Sequence, residues 1–318
     1  MNRVLVLGGT GFIGESVCER LFERSGGAGR IVVSTRRWKR ADKLRLLPTI
    51  EVRQADVHDD ADLSRLLPGA DAVVNLVAIL HGSRDAFHKV HVELPRRLAA
   101  ACKLAGVKRL VHVSALGVGP NAPSDYLRSK TEGESVLQAA GLDLTLLRPS
   151  VVFGAGDSFL NLFAKLQAFA PLLPLAGSDA KFQPVWVEDV ASAIVRCLDQ
   201  PDSIGRVYEL AGPDVYTLSE LVASAGRWAG HERPQIALPD SLGRMQAGFM
   251  ELLPGEPLMS RDNLKSMQQP NTATGNHPGL AELGITPTAL AAIAPGYLGG
   301  KSAAGRFNRW RADIGRDN

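Results

Sequence analysis

Short aliphatic and β-branched runs alternate with longer segments in which apolar positions recur every three or four residues, and the alternation holds through most of the chain. Continuous apolar runs of four to six residues suit strands buried on both faces, whereas the longer period suits helices with one apolar face. Strands are therefore expected at 4–7, 31–34, 50–52, 72–76, 110–113 and 144–147. A helix is expected after the first strand, with Ile13, Val17 and Leu21 on its inner face, and another at 59–67, stopped by Pro68 and Gly69. A third ends at Gly106 and bends near its start, because Pro95 gives no N–H to the carbonyl four residues before it. A fourth spans 126–140 and is closed by Gly141.

Strands alternating with helices in this way define an α/β protein: a doubly wound parallel sheet with helices on both faces. After residue 152 the pattern loosens. Residues 153–183 are richer in Pro, Gly and Phe, while 184–197 and 207–210 read as a return to the sheet. The expected division is a nucleotide-binding domain at 1–152 to which 184–212 returns, with a smaller C-terminal α/β lobe at 153–183 and 213–318. Between Pro239 and Pro254, Leu242, Met245, Phe249 and Leu252 or Leu253 fall at helical spacing, a stripe that ordinarily joins a core and otherwise serves as a lid or docking face.

Composition narrows the function classes. The 318 residues are 45% hydrophobic and 22% charged, a balance that supports a buried core. The net charge is +3, and without a dense Lys/Arg stripe beside aromatic residues nucleic acid is not an expected partner. Cys18, Cys102 and Cys197 are odd in number and far apart, which fits a reduced compartment and neither a disulfide framework nor a metal knuckle. His88 and His91 lie one helical turn apart without a third ligand at metal spacing, so no metal site is expected. No signal peptide and no apolar stretch of bilayer length are seen, and the expected location is cytoplasmic or peripheral to the inner face of a membrane.

The chemistry begins at Gly8-Gly9-Thr10-Gly11-Phe12-Ile13-Gly14, between the first strand and the first helix. Gly8 permits a sharp turn, Gly11 lets backbone approach a pyrophosphate and Gly14 lets helix pack on strand, while Thr10, Phe12 and Ile13 complete a turn that offers backbone N–H groups to phosphate. The second strand ends in Ser34-Thr35-Arg36-Arg37. A carboxylate there would bind ribose hydroxyls, but two guanidiniums suit a 2′-phosphate, so NADP(H) is preferred over NAD(H). Asp56 and Val57 are expected beside the adenine. Leu76, Val77, Ala78, Val113, Pro149 and Val152 are expected to line the crevice at the carboxyl edge of the sheet.

Tyr126 and Lys130 stand at i and i+4 on one helix face, where an ammonium favours the phenolate and prepares it for acid–base work. The glycine turn, Tyr126-Leu127-Arg128-Ser129-Lys130 and Arg148-Pro149-Ser150 resemble the extended and atypical short-chain dehydrogenases, with their Rossmann-type fold. Within these, His112-Val113-Ser114-Ala115-Leu116, the run from Tyr126 through Thr131-Glu132-Gly133-Glu134, Val152-Phe153-Gly154-Ala155-Gly156-Asp157, Gln183-Pro184-Val185-Trp186-Val187-Glu188-Asp189-Val190 and Pro278-Gly279-Leu280 resemble the NAD(P)H-binding accessory subunits of respiratory complex I and their bacterial relatives. The likeness is strongest from residue 1 to about 200. It implies a nucleotide held as a structural element beside a membrane redox complex or quinone-linked protein.

Two departures bear on activity. Active extended members carry two serines after the fifth strand, and here Ser114 is followed by Ala115; His91 stands where the family often has asparagine. Two readings follow: a nucleotide-holding module, or an NADP-dependent reductase, dehydrogenase or epimerase with Tyr126 as proton donor or acceptor, Lys130 tuning it and holding the ribose, and Ser114 substituting for the missing hydroxyl. The tail at 301–318, with Arg306, Arg309, Arg311 and Arg316 beside Phe307 and Trp310, is a candidate contact for anionic headgroups.

Overall fold

The computed structural model describes residues 1–252, 255 and 257–299. The chain forms two compact units, and each is built from separated segments. The first comprises Met1–Pro149, Val187–Leu210 and Ala273–Thr286. Its elements are β1 (Arg3–Leu7), α1 (Phe12–Ser25), β2 (Arg30–Thr35), β3 (Ile50–Gln54), α2 (Asp60–Leu66), β4 (Ala72–Asn75), α3 (Arg84–His88), a π-helical turn (Lys89–Glu93), α4 (Leu94–Ala105), β5 (Arg109–Val113), α5 (Asp125–Gln138), β6 (Asp143–Pro149), α6 (Val187–Asp199) and β7 (Val207–Leu210). All strands run parallel in the order β7-β6-β5-β4-β1-β2-β3. The order reverses beside β1 and β4, and an open parallel sheet binds its ligand in the crevice at such a reversal.

The six expected strands form, and 207–210 joins the sheet edge on β6. The stretch 187–199, expected to return to the sheet, is instead a helix: Val187, Val190, Ala191, Ile194 and Leu198 repeat at helical spacing and are buried. Arg20 and Arg24 of α1 pair with Glu188 and Asp199 at its two ends. Residues 273–286, assigned from sequence to the smaller lobe, cluster with the sheet unit. There Thr274 donates from its N–H and hydroxyl to the buried Glu209 carboxylate, and Glu209 N–H reaches Pro278 O at 2.9 Å.

The second unit holds Ser150–Trp186, Ala211–Thr272 and 287–299 among the described residues. Three two-stranded pairings join Val152–Phe153 to Val185–Trp186, Lys181–Phe182 to Tyr216–Thr217, and Leu173–Ala176 to Gln235–Leu238. Phe153, Phe163, Leu221, Val222 and Leu290 centre its core. The helix Asp240–Glu251 departs from ordinary amphipathic packing: its buried residues are Gly243 and Ala247, while Leu242, Met245, Phe249 and the following Leu252 are exposed. Glycine at 243 permits this approach, since a Cβ there would lie 2.7 Å from that of Ala176. Leu253 and the tail 301–318 lie outside the described residues.

Candidate functional site: a dinucleotide crevice

Each element of the crevice ends where its sequence stops supporting a strand. After Leu7 the chain enters the glycine turn with Gly8 at φ +82°, a conformation that side chains disfavour. Gly11 N–H donates to Gly8 O at 3.0 Å and tightens the turn. A Cβ on Gly14 would lie 2.4 Å from Gly8 O, so only glycine lets α1 begin there. No side chain caps α1 at Gly11, and the N–H groups of its first turn, through Phe12, Ile13 and Gly14, converge with the positive end of the helix dipole. Thr10 is half-buried in the same turn. This cradle fits the pyrophosphate of a dinucleotide.

At the end of β2 the Thr35 hydroxyl donates to Arg37 O and accepts from Arg37 N–H, fixing the backbone from which Arg36 and Arg37 project into solvent. Their guanidiniums have no hydrogen-bond or ion-pair partner among the described residues. Asp56 follows β3 in a local turn, accepting from His58 N–H at 3.0 Å, and Val57 beside it is buried. Beyond β4 the half-buried Leu76 and Val77 lead to the exposed Ala78, and a Cβ on Gly8 would touch Leu76 backbone at 3.2 Å. Asn75 sets this segment, its Oδ1 accepting from Val77 N–H and its Nδ2 donating to His112 Nδ1 at 3.1 Å.

The helix α5 is capped by Ser124, which accepts from Leu127 N–H, and it carries Tyr126 and Lys130 on one face. Lys130 Nζ donates to Val113 O at 3.2 Å, at the end of β5. The next residue, Ser114, has its N–H on Leu147 O at 2.7 Å, and its Oγ is buried without a hydrogen-bond partner. Such a hydroxyl costs stability unless something else meets it. Burial pushes the Tyr126 phenol up to about 12 and lowers the Lys130 ammonium to about 8, against the pull of Glu134. Pro149 ends β6 and is buried in this unit, whereas Val152 belongs to the second unit, paired with Val185.

Sequence reasoning missed a hydrogen-bonded chain behind the tyrosine. Ile79 N–H donates to His91 Nε2 at 3.2 Å, so His91 carries its proton on Nδ1 and gives it to Ser129 Oγ at 2.9 Å. Ser129 in turn donates to Tyr126 O at 2.7 Å. Every donor has one acceptor, which fixes the neutral tautomer. Burial first, then the Lys130 and His112 charges, hold His91 at about 2. Its ring lies edge-on to Tyr126 with centroids 5.5 Å apart and is stacked on Phe87 at 5.6 Å. The signal available in sequence was Ser129 at i+3 from Tyr126, with His91 in the preceding helix.

A crevice at the order reversal, a glycine cradle on an uncapped helix and a Tyr/Lys pair beside β5 define a dinucleotide-binding α/β protein of the short-chain dehydrogenase type. Residues 4–211 match the NAD dependent epimerase/dehydratase family, and the chain belongs to it. It is 31% identical to the mouse mitochondrial NADH dehydrogenase [ubiquinone] 1 alpha subcomplex subunit 9 over 90% of this chain and 76% of that one. It is 30% identical to a ceramide reductase of Caulobacter vibrioides over 78% of this chain and 76% of that one. The crystal structure of an NADPH-dependent quinone oxidoreductase of Escherichia coli, complexed with NADPH, superposes with a TM-score of 0.74 at 25% identity, covering 91% and 97% of the two chains. Among the described residues no helix is long and apolar enough to cross a membrane.

Proposed function

We propose that this chain binds NADP(H) in preference to NAD(H) and holds it as a standing component of a redox assembly, peripheral to the inner face of a membrane. The observation that carries the cofactor choice is the pair of exposed, unpartnered guanidiniums on Arg36 and Arg37 at the end of β2, where no carboxylate stands to take ribose hydroxyls. The turn Gly8 to Gly14 would hold the pyrophosphate, Asp56 and Val57 would flank the adenine, and Leu76, Val77, Ala78, Val113 and Pro149 would line the rest. The bound nicotinamide would supply a hydride donor or acceptor. The holding role is supported by Ala115 in place of a second serine. The name of the mouse relative, a subunit of an NADH dehydrogenase, points the same way.

The orphaned Ser114 hydroxyl supports a second reading, an active NADP-dependent reductase, dehydrogenase or epimerase. In it Ser114 holds the substrate oxygen, Tyr126 gives or takes its proton, and Lys130 tunes the phenol and binds the ribose. Protein loaded with NADPH, mixed with quinone analogues and followed by absorbance beside a Tyr126→Phe control, separates the two. Unreacted, tightly held nucleotide is expected; oxidation that depends on Tyr126 establishes the enzyme. For the cofactor, Arg36→Gln with Arg37→Gln is expected to weaken NADPH by about 2 to 4 kcal/mol and to leave NADH nearly unchanged. Equal losses measured by nucleotide titration would remove the phosphate contact.

A further inference from the structure

The small net charge of the whole chain conceals a concentrated basic segment immediately after β2. Between residues 36 and 45 stand six cations, Arg36, Arg37, Lys39, Arg40, Lys43 and Arg45, against the single carboxylate of Asp42, while all 318 residues together carry only +3. The expectation that no basic cluster accompanies an aromatic residue is thus corrected here, because Trp38 lies inside the run. Two short 3-10 turns, Trp38–Ala41 and Leu44–Leu46, fold the segment back on itself. The Arg45 guanidinium sits 5.1 Å from the Trp38 ring centroid. Ala41 and Leu44 are buried and anchor the turns, leaving Trp38 42% and Leu46 82% exposed. Lys43 and Arg45 reach Glu15 and Asp42 in exposed pairs, but the side chains of Arg36, Arg37, Lys39 and Arg40 have no hydrogen-bond or ion-pair partner among the described residues.

We propose that this surface, from Trp38 to Leu46, docks the protein on an anionic phospholipid bilayer. Cations without internal partners seek phosphate, and an exposed Trp with an exposed Leu suits the headgroup level, where an amphipathic ring and an aliphatic chain both lose water. Nucleic acid would use the same cations but offers nothing to Leu46, and Arg45 covers one face of the Trp38 ring on which a base would stack. The cofactor reading assigns Arg36 and Arg37 to a phosphate of its own; Lys39 and Arg40 have no part in it, so the two ideas fail separately.

The test is flotation of the full chain with vesicles of phosphatidylcholine alone and of phosphatidylcholine mixed with phosphatidylglycerol in equal parts. Binding is expected only to the anionic vesicles and to fall as salt shortens the screening length below about 10 Å. Each basic residue near such a surface contributes roughly a factor of five, so Lys39→Gln with Arg40→Gln is expected to lower partitioning about 25-fold, with an unchanged melting temperature and NADPH affinity. Trp38→Ser should remove the binding that survives at high salt. Equal flotation with both vesicle types, full binding by the double variant, or tighter binding to duplex DNA than to the anionic vesicles would overturn the assignment.

Discussion

His91 and His112 are 2% and 3% exposed, and the Lys130 ammonium lies close enough to oppose a positive charge on either ring. Burial with that charge lowers them to about 2 and about 3, against an ordinary value of 6.5. Between those values and 6.5 the unfolded chain binds protons that the folded one refuses, so stability falls as the pH drops below 6.5. At pH 5 each ring should cost about 2 kcal/mol relative to pH 7, visible as a shifted denaturant midpoint. The variant His91→Gln with His112→Gln should lose that component of the pH dependence, and an unaltered acid sensitivity would mean that other groups carry it. At this scale Tyr126 and Lys130 were legible as a pair at i and i+4. The His91 chain was not, because Ile79, His91 and Ser129 meet only when three elements pack.

Between α3 and α4 the helix loosens into a π-helical turn at Lys89–Glu93, and the cause is visible in sequence. Pro95 has no N–H for the carbonyl of His91, so the bonding shifts by one residue, Leu94 N–H reaching Lys89 O. The bend expected from Pro95 therefore takes the form of a widened turn. What receives the freed carbonyl came only from the fold: α5 passes so close that a Cβ on Gly133 would lie 1.9 Å from His91 O. Replacing glycine by alanine within a helix normally adds about 1 kcal/mol. At Gly133 the sign should reverse, Gly133→Ala costing roughly 2 to 4 kcal/mol in urea denaturation, because backbone has to separate from backbone. A stabilised variant would show that α5 can shift without loss.

Across the molecule, the first unit is tied together by a cation that composition gives no reason to notice. Arg109 in β5, 5% exposed, donates to Asp143 O at 2.6 Å and Thr145 Oγ1 at 2.8 Å on β6. It also reaches Cys197 O at 2.5 Å on α6 and Ser203 Oγ at 2.9 Å. Oxygens rather than a paired carboxylate meet its guanidinium, joining segments nearly a hundred residues apart. Arg109→Met should cost about 3 kcal/mol by leaving several of these acceptors buried and unmet, and a chemical melt that moves by less than a third of that would refute the staple. Segment 273–286 escaped the sequence reading for a similar reason: its short, Pro- and Gly-broken run shows no period, and its place depends on Glu209 receiving Thr274. By contrast, the parallel sheet, the glycine turn and the placement of Tyr126 and Lys130 on one helix face were determined by the sequence itself, since periodicity, glycine freedom and i, i+4 spacing are local properties of a chain. The tertiary structure alone decided which polar groups lose water together. That selection left the Ser114 hydroxyl buried without a partner, locked His91 neutral, and turned the bulky side of the helix Asp240–Glu251 outward, because burial belongs to packed elements rather than to any stretch of sequence.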